Sequence, residues 1–146
     1  MTIIAYKNGE CWADDIITES YGLIAGRELK LVYRKKDGVI GGAAGDAAAC
    51  SEFLQWVKSG RGKFPAKLGE SSLIQAFTVD RSGIVSEWSG PVPSLISCDH
   101  YAIGKGSELA IGAMMAGASA KEACIYACRG YAWPASLQGV DHDGKW

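Results

Sequence analysis

The amino-acid sequence predicts an α+β fold, with helices packed on antiparallel sheets. Two observations predict it: short apolar runs pair across tight-turn sequences, and the helical patterns fall in separate groups between those pairs. The 19 glycines sit mostly between the short runs, as turns and close backbone approaches require.

Taken in order, Thr2 to Tyr6 is β-rich and Lys7-Asn8-Gly9 carries the Asn-Gly turn signal. With Glu10 to Ala13 it predicts an opening hairpin that runs into Asp14-Asp15. Leu29 to Arg34 and Val39 to Ala44 predict a second hairpin around Lys36-Asp37-Gly38. From Asp46 to Lys58 the period turns helical: Ala49, Cys50, Phe53, Leu54 and Val57 share a face, and Gly60 ends it. Arg61 to Ser72 reads as a loop. Leu73 to Val79 and Ile84 to Trp88 predict a third hairpin across Asp80-Arg81-Ser82-Gly83, after which Pro91 and Pro93 break regular structure. Tyr101 to Gly106 predicts a short strand entering a glycine turn, followed by helices over Ser107 to Met115 and Ala120 to Cys128. Ser119 and Glu122 have capping-box spacing at the start of the last helix. The tail from Asp141 onward reads as a surface end, with Trp146 as an anchor at a subunit contact. No repeat or linker divides the chain, so residues 1–146 are expected to form one domain.

Bulk properties narrow the function. A net charge of −1 argues against nucleic acid or an anionic membrane as a standing partner. No apolar run reaches the length of a membrane span. The five cysteines are odd in number and lie in apolar or mixed segments, which suits reduced thiols and a cytoplasmic protein; the first ten residues lack the pattern of a signal peptide. Cys124 and Cys128, four apart, read as a buried helix face, since His100 and His142 stand away from ligand spacing. Neither metal nor cofactor is expected. Asp99-His100 has no accompanying nucleophile-elbow sequence.

The first 45 residues carry a pattern in their order: TIIAYKNG, CWADDIIT and LKLVYRKKDGVIGGAAGD, followed later by YAIGKG and ELAIGAMMAGASAKEA. Together these resemble the proteasome β-subunit family, most closely its HslV-type peptidases, over nearly the whole chain. The resemblance implies a four-layer αββα sandwich of the N-terminal-nucleophile (Ntn) hydrolase type. It implies a threonine-type endopeptidase acting through Thr2 once Met1 is removed. A threonine hydroxyl needs a base to take its proton, and in this family the α-amino group of the same residue serves. By the same resemblance Lys30 is the cation that lowers the pKa of that amine, and Asp14 pairs with it and orients it. Asp15 is the alternative one position along, with the spacing to Thr18 favouring Asp14. Gly42 matches the oxyanion donor through its backbone N–H.

The chain departs from the family where Lys105 replaces the usual serine of the Ile-Gly-Ser-Gly turn; Ser107 stands two residues on. The family's Asp and Thr-Gly element after the last long helix is replaced by Arg129-Gly130-Tyr131-Ala132-Trp133-Pro134. The resemblance also implies a homo-oligomeric ring, peptide or unfolded-protein substrates and an ATP-dependent unfoldase partner. Two other readings stand beside it. One is a degenerate subunit that keeps the fold but acts as a structural or binding protein. The other is a hydrolase of small amides.

Overall fold

The computed structural model describes residues 2–18, 24–65, 68 and 74–145. Met1 and Trp146 lie outside them, as do Leu73 and residues 66, 67 and 69–72 of the expected loop. The opening hairpin is β1 (Ile3–Lys7) and β2 (Glu10–Asp14), turning at Asn8 and Gly9 with φ of 52° and 81°. Both angles are left-handed, which is why Asn-Gly is favoured in this two-residue turn. Two short strands follow, β3 (Ile16–Thr18) and β4 (Ile24–Arg27), which among the described residues pair with each other. The next hairpin is β5 (Leu31–Arg34) and β6 (Val39–Ala44), leading into α1 (Ala47–Ser59). The Asp46 carboxylate accepts the Ala49 N–H and starts this helix; Gly60, at φ 69°, ends it.

Then come β7 (Gln75–Val79), β8 (Ile84–Glu87), β9 (Ser94–Ser97) and β10 (His100–Gly104). The chain closes with α2 (Ser107–Met115), α3 (Ala120–Gly130) and β11 (Leu137–Asp141). The capping box is formed: Ser119 accepts the Glu122 N–H, and the Glu122 carboxylate accepts the Ser119 N–H.

The strands make two larger antiparallel sheets, ordered β10-β1-β2-β11 and β5-β6-β7-β8-β9. Period-two alternation lets β1 serve two cores at once. Ile4 and Tyr6 join Cys11, Ile40, Phe77 and Val79 in a cluster shared by both sheets. Ile3 and Ala5 point the other way and meet Ala110, Met114, Ala123 and Cys124 of α2 and α3. On the second sheet Val32 and Ala43 pack under Phe53, Leu54 and Val57 of α1. Strands covered on both faces read as near-continuous apolar runs, as Ile3-Ile4-Ala5-Tyr6 does.

Among the described residues, four strands went unread in the sequence. β9 begins directly after Pro93 and pairs only with β8, a position in an edge strand that tolerates a neighbouring proline. β11 contains Gly139 and a glutamine, so it lacks strand propensity; it is held by pairing with β2 and by the Trp12 ring, which occupies the space where a Gly139 Cβ would stand. β3 and β4 are short and pair with an irregular register between Ile17 and Thr18.

Gly42 faces the core between the sheets, opposite Leu31 and Phe77. A Cβ there would stand 2.5 Å from Phe77 Cε1. Gly42→Ala is therefore expected to overpack the core and cost about 1–3 kcal/mol, read as a lower denaturant midpoint with an unchanged slope.

Candidate active site

Thr2, Asp14 and Lys30 are distant in sequence and meet at the ends of three strands. Thr2 immediately precedes β1, Asp14 ends β2, and Lys30 immediately precedes β5. All three are buried, with Asp14 1% and Lys30 3% exposed. The Lys30 Nζ donates to Asp14 Oδ2 at 2.7 Å, to the Ile16 carbonyl at 2.8 Å and to Thr2 Oγ1 at 3.3 Å. Asp14 Oδ1 accepts the Ile3 N–H at 2.7 Å, and Oδ2 accepts the Ile16 N–H at 3.3 Å. The carboxylate thus holds both the ammonium and the first peptide N–H beyond Thr2. Asp15 points elsewhere, 3.9 Å from Arg27 Nε.

The carbonyl side of Thr2 is held by the turn between β10 and α2. Gly106 donates its N–H to the Thr2 carbonyl at 3.3 Å. Gly104 has φ 95°, and a Cβ on it would stand 2.2 Å from that carbonyl oxygen, so glycine is required on both counts. The Lys105 side chain leaves the site: its ammonium lies 5.5 Å over the Tyr131 ring, and the Tyr131 hydroxyl donates to the Lys105 carbonyl.

Thr2 and Lys30 open onto a cavity of about 360 Å³. One wall is α1, through a stripe at helical spacing that includes Ala47, Cys50, Ser51, Leu54 and Lys58. The end of β6 forms another, through Ala43, Ala44 and Gly45. Glu28 stands at the wall with its carboxylate 3.9 Å from the Lys30 ammonium. Burial, reinforced by Glu28 and Asp46, pushes the Cys50 thiol up to about 12. Burial likewise pushes Cys128, close enough to feel Asp14 and Lys30, up to about 11. Both thiols stay protonated at neutral pH and are poor nucleophiles.

Gly42, expected as the oxyanion donor, lies away from this cavity. Ala43 donates its N–H to the Lys30 carbonyl, and successive strand amides point to opposite sides, so the Gly42 N–H is turned toward β7. Gly45 lies just past the end of β6, beyond its last pair with β5. Gly45 has φ 126° and borders the cavity with Thr2.

Among the described residues no group of His, Cys, Asp and Glu is arranged to hold a metal ion. Cys124 and Cys128 are buried on the inner face of α3.

No protein-family model matches the chain, and no curated protein matches it. Among solved structures it is similar to eukaryotic HslV from Trypanosoma brucei, with a TM-score of 0.67 and 19% sequence identity. The likeness covers 95% of this chain and 97% of that one. At this identity the likeness establishes a shared α+β fold of the HslV kind.

Removing one member of a buried ion pair strands the other charge. Lys30→Met is expected to cost about 3–5 kcal/mol in denaturant unfolding. Adding Asp14→Asn should recover part of that loss, because a neutral amide still accepts the Ile3 N–H without a charge to bury.

Proposed function

We propose that the chain is a threonine-type endopeptidase whose nucleophile is Thr2, exposed as the first residue by removal of Met1. The observation that carries this reading is the buried Lys30 ammonium set between Thr2 Oγ1 and Asp14 at the mouth of a cavity. The α-amino group of Thr2 takes the hydroxyl proton while Oγ1 attacks the scissile carbonyl. A cation at this range disfavours the protonated amine, so a free base is present at neutral pH. Asp14 keeps the cation in place and holds the Ile3 N–H, fixing the main chain that carries the nucleophile.

The tetrahedral oxyanion needs an N–H at the cleft, and we assign that role to Gly45, which lines the cavity with Thr2, rather than to Gly42, which does not. The amine then returns its proton to the leaving nitrogen, leaving an ester on Thr2. Water, deprotonated by the same amine, hydrolyses the ester and restores the hydroxyl.

The finer architecture we propose is the four-layer αββα Ntn-hydrolase sandwich. It is supported by the succession of three apolar clusters, between helices and sheet, between the sheets, and between sheet and helix. Assembly into a homo-oligomeric ring, feeding by an ATP-dependent unfoldase, peptide or unfolded-protein substrates and a cytoplasmic location belong to the same proposal. A second reading, a degenerate subunit with a structural or binding role, is favoured by the turn after β10. There Lys105 stands in place of a hydroxyl residue and turns to Tyr131.

A peptide epoxyketone and intact-mass measurement separate the two. The expected outcome is a chain beginning at Thr2 that gains one probe mass, with Thr2→Ala abolishing the adduct. Lys30→Ala should slow labelling about 100-fold or more. The free amine is the reactive form, so the rate should rise with pH through a midpoint below the ordinary α-amino value of about 7.7–8.0. A purified active protein that still begins with Met1 would overturn the assignment.

A further inference from the structure

The segment that delivers Lys30 to the site lies just before β5, whose register with β6 begins at Leu31 and Gly42. Among the described residues two main-chain bonds reach it: the Glu28 N–H donates to the Asp15 carbonyl at 2.8 Å, and the Lys30 carbonyl accepts the Ala43 N–H at 3.4 Å. One side chain from the far end of the chain adds four more. The Gln138 Oε1 accepts the Lys30 N–H at 2.9 Å and the Leu31 N–H at 3.2 Å. Its Nε2 donates to the Glu28 carbonyl at 2.9 Å and to the Asp14 carbonyl at 3.4 Å.

Both ends of the amide are used. The orientation of the group is therefore determined by its partners: two N–H groups face the oxygen and two carbonyls face the nitrogen. Gln138 itself is held firmly, because β11 pairs with β2 along its length and Gln138 stands opposite Ala13, the neighbour of Asp14. One half-buried side chain thus ties the backbone of the cation's segment to the strand end that carries its carboxylate.

We propose that Gln138 is a positioning residue for the Thr2 chemistry, acting by holding the Lys30 segment at the distance from Asp14 and Thr2 that the ion pair and the hydroxyl contact require. The inference rests on the peptidase reading for its kinetic consequence and on geometry alone for the clamp. An apolar replacement removes the four hydrogen bonds. The Lys30 main chain then loosens, the ammonium spends less time beside Thr2, and the amine regains a higher pKa. The acid limb of the pH–rate curve accordingly moves to higher pH.

The test compares Gln138→Leu, Gln138→Glu and Leu137→Ala. Leu137 lies on the same strand but faces the other way, against the cluster of α2 and α3, so its truncation loosens β11 packing on the side away from Gln138. Amide hydrogen exchange at Lys30 and Leu31 should quicken in Gln138→Leu, recover partly in Gln138→Glu, which keeps an acceptor, and stay near wild type in Leu137→Ala. With the peptide epoxyketone, Gln138→Leu should lower the maximal labelling rate about 10- to 100-fold with little change in the probe's binding constant. Its acid limb should shift upward while that of Leu137→Ala stays in place.

Unchanged exchange at Lys30 and Leu31 in Gln138→Leu would overturn the clamp whatever the activity. Quickened exchange with an unmoved acid limb and rate would overturn its catalytic consequence. A wild-type chain that the probe never labels would sink the peptidase reading, and with it the positioning role, while the exchange measurement still decides the clamp.

Discussion

A lysine ammonium and an aspartate carboxylate, both nearly inaccessible to water and 2.7 Å apart, set the terms for the rest of this structure. Charges withdrawn from water cost several kcal/mol each unless their hydrogen-bonding capacity is met by the protein. Asp14 meets it by accepting two main-chain N–H groups besides the ammonium, and Lys30 by also reaching a carbonyl and the Thr2 hydroxyl. These contacts join the starts of β1 and β3, the end of β2 and the approach to β5. An apolar pair would cover the same ground without such directional requirements, so the polarity of this spot has a consequence: it fixes where a hydroxyl sits.

The two-faced strands impose the second constraint. With β1 buried on both sides, the main chain around the site has little slack, and several close approaches are possible only without a Cβ. Gly104 lies against the Thr2 carbonyl and Gly139 under the Trp12 ring, while Gly42 leaves room for Phe77. Dense packing of this kind transmits small displacements. The cleft itself opens where the ladders stop, past Ala44 and before Leu31. The chain there faces a helix stripe across about 360 Å³ of space.

The chemistry of the cleft also has a negative side. Its cysteines are held protonated by burial, so the thiol beside the cavity does not compete with the hydroxyl for an electrophile. The turn after β10 contributes main-chain groups to Thr2 but sends its one long side chain away to an aromatic ring. Any activity of this site therefore depends on the Lys30, Asp14 and backbone groups rather than on a hydroxyl from that turn.

Local structure was legible in the amino-acid order because its causes are local. Asn8-Gly9 supplies two left-handed angles, Asp46 and Gly60 bound α1, and the Ser119–Glu122 box starts α3. Thr2, Asp14 and Lys30 were marked as a candidate site by the family resemblance that their order along the chain carries. What the order did not reveal was set by contacts across long separations. β11 exists because β2 and the Trp12 ring hold it, and Gln138 reaches Lys30 over 108 positions that no periodicity records. That Gly42 faces Phe77 and not the cavity is likewise a matter of strand pairing rather than of residue type. Sequence alone determined the turns, the caps and the candidate residues; the tertiary structure decided which of them face one another, because only the packed sheets bring strand ends from opposite parts of the chain together.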